Sequence, residues 1–275
     1  MTKRSSPLYS DPINEFLNSV DSLDNAIQAS IVFSETHLGI HVDGMTLRAY
    51  HMHARACVIA ISLLKICHYT EDQLHSQNFT LDHAAISALS RTIVETCLLV
   101  SYCAEPNIAQ EETELRFLLF RVHDTHARYM LFKEMRAMPF GQQASIGQQC
   151  HDFRRGLDEL RTQLDQNNIF INLSPERQKR IKAGQDMYVR GIRDVARRFG
   201  KLDTFNYFYV YMSAFSHCSP LSFMRVTLNN ISNERPSGNQ LNIATQALFV
   251  SADFLQSTNQ MMQNTFDAIQ GEPPP

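Results

Sequence analysis

Ala88-Leu-Ser-Arg-Thr-Ile-Val-Glu-Thr-Cys-Leu-Leu-Val100 is the stretch that decides the fold. It is apolar on most sides of a helix, which predicts a helix enclosed by others rather than one washed along a face. That helix is expected over about 81–104, where Glu105-Pro106 stops it, because the residue before a proline is driven out of helical conformation. Arg91 and Glu95 lie four apart in this stretch, which places both on one side. Charges in such surroundings are costly unless paired and hydrogen-bonded. The pair is therefore expected to bond internally and to meet a further polar group.

Helix signals continue in both directions from this centre. Asp11-Pro12 reads as an N-cap with proline at the first helical position. Ile13, Phe16, Leu17, Val20, Leu23, Ile27 and Ile31 then keep helical period to about His37. Asp43 is placed to cap a second helix reaching towards Tyr69. Downstream, helices are expected over about 111–138, from Ser145 through Leu164, from Ser174-Pro175-Glu176, over about 186–199 with Gly200 as its C′ residue, and from near Asp203. Residues 219–238 read as an irregular connection, and a last helix is expected over about 241–269. Residues 1–10 and 271–275 are expected to be disordered. The fold class is therefore all-α: a single bundle of about eight or nine helices filling one domain over 11–270.

The bulk numbers agree with that class. Hydrophobic residues make up 44% and charged residues 19%, a globular balance. Ten glycines and ten prolines are few for a turn-rich β fold. A net charge of −3 argues against a protein that coats nucleic acid with its whole surface. The six cysteines are dispersed among apolar residues, without the close spacing of a zinc ribbon or redox motif, so buried free thiols are expected. No run of 18 or more residues is wholly apolar, and the N-terminus lacks a secretory h-region. The expectation is a cytoplasmic protein with no membrane association.

Polar residues recur at one further apolar place. In Phe205-Asn-Tyr-Phe-Tyr-Val-Tyr-Met-Ser-Ala-Phe-Ser-His-Cys-Ser-Pro220, counting back from His217 in fours gives Ser213 and Tyr209. On a helix these three form one stripe. Buried polar side chains need partners, so Arg91, Glu95, Tyr209, Ser213 and His217 are expected to form one network. As a site, His217, Arg91 and Glu95 would be its catalytic members, with Tyr209 and Ser213 in support.

Arg91-x-x-x-Glu95 on an apolar helix, with Tyr209-x-x-x-Ser213-x-x-x-His217 just before a turn, resembles an uncharacterised family of prokaryotic helical proteins known as a domain of unknown function. The resemblance covers roughly residues 45–225 and implies a helical fold with arginine, glutamate and histidine brought together. A looser similarity runs to the HEPN group of helical domains, whose nuclease members carry an arginine and a histidine separated by four to six intervening residues. His217 lacks that partner, because positions 210–212 are Val, Tyr and Met. The spacing does occur at Arg48/His53, Arg116/His123 and Arg121/His126, as frequently as chance provides.

Other candidates are weaker. His123-x-x-His126 puts two imidazoles one turn apart, but a transition metal wants three or four convergent ligands, so no metal is expected. His51 and His53, two apart, point away from each other on a helix. No phosphate-cradling glycine loop, nucleophile elbow or H-E-x-x-H is present, and no cofactor is implied. Between residues 174 and 201 nine lysines and arginines stand against three acids. There Arg190, Arg193 and Arg197 would make a helical stripe able to meet phosphates. Two functions follow: an interaction or structural module with a protein or RNA partner, or a metal-independent, HEPN-like ribonuclease of a prokaryotic stress or phage-defence system. The 241–269 helix, with Leu248, Phe249, Leu255, Met261, Met262 and Phe266, would either close the bundle or mediate a homodimer.

Overall fold

The computed structural model describes residues 11–67, 69, 71–74, 81–139, 144–216 and 238–271. Residues 1–10 and 272–275, and the expected irregular connection as far as 237, lie outside the described residues. Among the described residues helices are joined by turns and connections, with no strand. Where the sequence predicts one domain over 11–270, contacts divide the chain into two compact units.

The first unit takes in the described residues up to Ala104 and from Ala196 onward. Its long helices are α1 (Pro12–Thr36), α2 (Gly44–Cys67), α4 (His83–Cys103), α10 (Leu202–Ser216) and α11 (Gly238–Gly271), with a single turn, α3 (Glu71–Leu74), before α4. α1, α2, α4 and α11 form a ring in which each packs on the next, and α10 lies against α4. Side-chain caps start these helices, at Asp11 and Asp43 where the sequence puts them and at Asp82 besides. Asp11 accepts from the Ile13 amide at 3.1 Å ahead of Pro12. Asp43 accepts from the Met45 and Thr46 amides at 2.7 and 3.0 Å, and Asp82 from Ala84 and Ala85. Each satisfies amides that the first turn leaves without a helical partner.

α4 is the core helix that its sequence demands. Ile93, Val94, Cys97, Leu98 and Val100 are all buried. It is the one described helix long and apolar enough to cross a membrane by length and composition, yet more than half of that window is buried within the chain. α11 closes the ring: Leu248, Leu255, Met262 and Phe266 are buried, while Asn242, Gln246, Asp253, Gln256 and Gln260 face outward. The expected apolar stripe is thus spent inside the chain, with Phe249 left partly exposed. Cys57, Cys67, Cys97, Cys103 and Cys150 are buried free thiols, as expected; Cys218 lies outside the described residues.

The second unit spans Glu105–Val195. α5 (Gln110–Ala137) and α6 (Ala144–Leu164) make an antiparallel hairpin, followed by α7 (Asn168–Ile171) and α8 (Pro175–Lys182), which pack on α5. Ile146, Cys150, Leu157, Leu160 and Leu164 form the buried seam of α6, at helical spacing. α9 (Ile192–Arg198) is shorter than expected, because the backbone before it is used otherwise. Arg177 donates to the Val189 carbonyl at 3.1 Å and to that of Tyr188, and pairs with Asp186 at 2.5 Å. Gly191 follows in the left-handed region at φ +95°. These bonds hold 186–191 as a turn, so a helix cannot begin at Asp186.

Candidate functional site

The site assembles on α4 and α10. Gly200, at φ +71°, ends α9 with Lys201 N–H bonded back to the Ala196 carbonyl at 2.8 Å, the glycine-centred stop expected there. Lys201 then pairs with Asp253 of α11 at 2.6 Å, anchoring the start of α10. Phe205, Phe208, Met212 and Phe215 form its buried face, at helical spacing. His83 at the start of α4 meets Phe215 near the end of α10, and Arg91 meets Tyr209, so the two helices run antiparallel.

The Arg91 guanidinium lies between two groups. Its Nε donates to Glu95 Oε1 at 3.0 Å, and its Nη2 donates to the Tyr209 hydroxyl at 2.8 Å. Its central carbon also sits 4.6 Å from the centre of the Tyr209 ring, close enough for a cation–π contact. The ring in turn packs against Phe205 at 5.1 Å. Three of the five residues expected to meet do so. Ser213 lies half-buried one turn beyond Tyr209. His217 lies outside the described residues.

The cluster differs from its expectation in depth. The Arg91 and Glu95 side chains are 24% and 38% exposed, so they form an edge of the core rather than a buried centre. The physical reason is position: α10 covers only part of that side of α4, leaving the carboxylate towards water.

The other candidates are placed as follows. Arg193 and Arg197 are exposed on α9, but Arg190 lies in the turn before it. The three therefore do not make the continuous helical stripe expected of them. His123 donates from Nδ1 to the Gly184 carbonyl at 2.8 Å, and the His126 ring lies against Gly184 itself. Both imidazoles of the spaced pair thus grip a turn at φ +65°. Burial, with the nearby positive charges of Arg161 and His123, holds His126 below the ordinary imidazole range. His53 is fully buried. Arg116, 3% exposed, is taken up by Glu105 at 2.5 Å and Glu112 at 2.6 Å, so the Arg116/His123 spacing leaves no arginine to offer a substrate.

That Arg116 trio and the His53 surroundings are the polar features that the sequence reading passed over. The first carried a signal: Arg116 follows Glu112 by four inside the apolar run Leu115 to Leu119, the same grammar as Arg91 and Glu95. The second, with Ser30 and Asn259, carried none beyond single polar residues on apolar stripes.

One comparison with known proteins is informative. The family model DUF5677, a family of unknown function, matches residues 47–235. The chain belongs to this family. No curated protein and no solved structure matches it. The DUF5677 span contains Arg91, Glu95, Tyr209, Ser213 and His217 together, as well as His53 and the basic segment. It leaves out α1 and all of α11.

Proposed function

We propose that this DUF5677 chain is a helical interaction module, in which the Arg91–Glu95–Tyr209 cluster fixes α10 on the core and the outer face of α10 receives a protein partner. The observation that carries this reading is the engagement of the guanidinium. A phosphate-binding arginine presents its fork of N–H groups to the ligand. Here Nε and Nη2 are already directed to Glu95 and Tyr209, and the Tyr209 ring centre lies 4.6 Å from the central carbon. The face that the cluster holds in place carries Tyr207, 58% exposed and stacked on Tyr211, beside Val210, 67% exposed. Exposed tyrosine with adjoining apolar surface is the composition enriched at protein interfaces.

A second reading, a HEPN-like ribonuclease of a prokaryotic stress or phage-defence system, is favoured by the water-facing edge of Glu95. In it His217 transfers protons near neutral pH, Arg91 steadies a phosphate and Glu95 orients one of them. The test is to incubate the purified chain, and its His217→Ala and Arg91→Ala variants, with total RNA. No cleavage by the wild type supports the interaction module. Cleavage by the wild type that both variants lose overturns it in favour of the nuclease.

A further inference from the structure

His53 on α2 is sealed where α1, α2 and α11 meet, and the hydrogen bonds around it fix every polar direction. Its Nε2 lies 2.7 Å from Asn259 Oδ1. The same oxygen accepts the Ser30 hydroxyl at 2.7 Å. The Asn259 amide nitrogen donates to the Ala26 carbonyl at 2.9 Å. That last bond settles which end of the amide faces the imidazole, so His53 must be the donor and Nε2 carries its proton. Nδ1 is then a bare lone pair, and it is buried without a hydrogen-bond partner.

The walls are aromatic. Phe33 of α1 makes a T-shaped contact with the imidazole at 5.0 Å, and Phe266 of α11 packs across Phe33 at 5.3 Å. The titratable groups near it are His37 on α1, packed against Phe33 and in T-shaped contact with Phe266 with Nδ1 on the Phe33 carbonyl, and Tyr50 and Cys57 on α2. The Cys57 thiol hydrogen-bonds Ser30, and burial pushes it up. On α4, Cys97 hydrogen-bonds Thr258 beside Asn259, and burial pushes its thiol up to about 12, so it stays neutral. Among the described residues no carboxylate is in hydrogen-bond or ring contact with His53.

We infer that His53 is an acid-sensitive latch: a proton on Nδ1 is accommodated only by parting α1 and α11 from α2, so the first unit opens as the pH falls below neutral. The added proton creates a buried donor with no acceptor and a buried charge with no partner, both of which the folded arrangement excludes. Burial holds His53 below the ordinary imidazole range, against the opposing pull of its bond to Asn259. The unfolded chain takes its proton near the usual value of about 6.5. The latch is therefore fully closed above that value and weakens below it. Each further pH unit lowers the folding equilibrium constant by up to about tenfold, until the folded imidazole itself titrates.

The test compares the full chain with His53→Gln, whose amide nitrogen can still donate to Asn259 but cannot titrate. Urea unfolding is followed from about pH 8 down to about pH 5, together with amide exchange of α1 and α11. From about pH 6.5 to about pH 5.5 the wild type is expected to lose about fivefold more in folding equilibrium constant than the variant, with faster exchange in α1 and α11. Parallel pH profiles would overturn the latch. Should His53→Gln fail to fold, Asn259→Asp decides: a carboxylate facing Nε2 pairs with the charged ring, so acid loss is expected to shrink or reverse. A wild-type acid loss in that variant would likewise overturn it.

Discussion

Removing the Tyr209 hydroxyl tests whether α10 is held to α4 by Arg91. Tyr209→Phe keeps the ring under the guanidinium and deletes the acceptor 2.8 Å from Nη2. A net hydrogen bond to a charged group contributes about 1.5–3 kcal/mol when buried. Arg91 is 24% exposed, so water replaces part of that bond, and about 1 kcal/mol is the expected loss. Tyr209→Leu also removes the cation–π contact and ring packing on Phe205, which raises the loss to about 2–3 kcal/mol. Glu95→Gln is expected to cost about 0.3–0.5 kcal/mol, since an i,i+4 pair with a carboxylate 38% exposed is screened by solvent. The decisive measurement is a double-mutant cycle of Arg91→Met with Tyr209→Phe, read by urea unfolding in far-ultraviolet circular dichroism because the chain contains no tryptophan. A coupling of about 1 kcal/mol is expected. A coupling below about 0.3 kcal/mol, or a Glu95→Gln loss as large as that of Tyr209→Leu, would refute the clamp.

Three further outcomes are expected from other parts of the molecule. Gly184→Ala places a methyl group within 2.5 Å of His126 Cβ at a left-handed φ of +65°, and should cost about 3 kcal/mol in thermal unfolding. The same substitution in a His126→Ala background should cost visibly less, and equal penalties would show that His126 is not the obstacle. Arg116→Met strands Glu105 and Glu112 beside an apolar side chain, with an expected loss of about 3–5 kcal/mol; a loss under about 1 kcal/mol would show that water already reaches the trio. Asp43→Ala removes the α2 cap at an expected cost of about 1–2 kcal/mol. Burial tends to raise the Asp43 carboxyl, but its bonds from the Thr46 hydroxyl and the Thr46 and Met45 amides outweigh that and hold it below its usual value. Its contribution is therefore present above about pH 3.8 and fades as the pH falls through the lower folded value, so wild type and variant should converge in acid.

The readings that succeeded were those in which one residue type has one local use. Asp11, Asp43 and Ser174 cap helices because a short acceptor reaches back to free amides, a purely local matter. Gly200 stops α9 for an equally local reason. The α6 stripe and the enclosed α4 follow from periodicity alone. The start of α9 did not follow, because Arg177, twelve residues before Val189, takes the carbonyls that a helix would need. The Arg91–Glu95–Tyr209 meeting was foreseen because polar groups in apolar runs must find each other. Its exposure was not, because that depends on how much of α4 is covered by α10. Asn259 gave no warning: a single amide on a long amphipathic helix looks like its neighbours Gln256 and Gln260, which face water.

The polar links explain how a ring of similar helices keeps one register. Leucine, isoleucine and alanine faces pack almost as well after a slip of one turn, about 5.4 Å along the axis. Polar links do not tolerate it. Moving α10 by one turn along α4 would bring Phe205 or Ser213 opposite Arg91 in place of Tyr209. The first has no acceptor, and the second is too short to offer both a hydroxyl and a ring. Moving α11 by one turn would replace Asn259 by Leu255 or Gln263. Leu255 would leave the His53 Nε2 proton without its acceptor, and would remove the Asn259 bonds to the Ser30 hydroxyl and the Ala26 carbonyl, which keep only their 3.1 Å bond to each other. Gln263 would carry its amide one methylene too far to serve both sides. α1, α2 and α11 are thus held in register by one asparagine, and α4 and α10 by one arginine. Neither link shares a residue with the other, so a substitution at Tyr209 should leave the acid response of His53 unchanged.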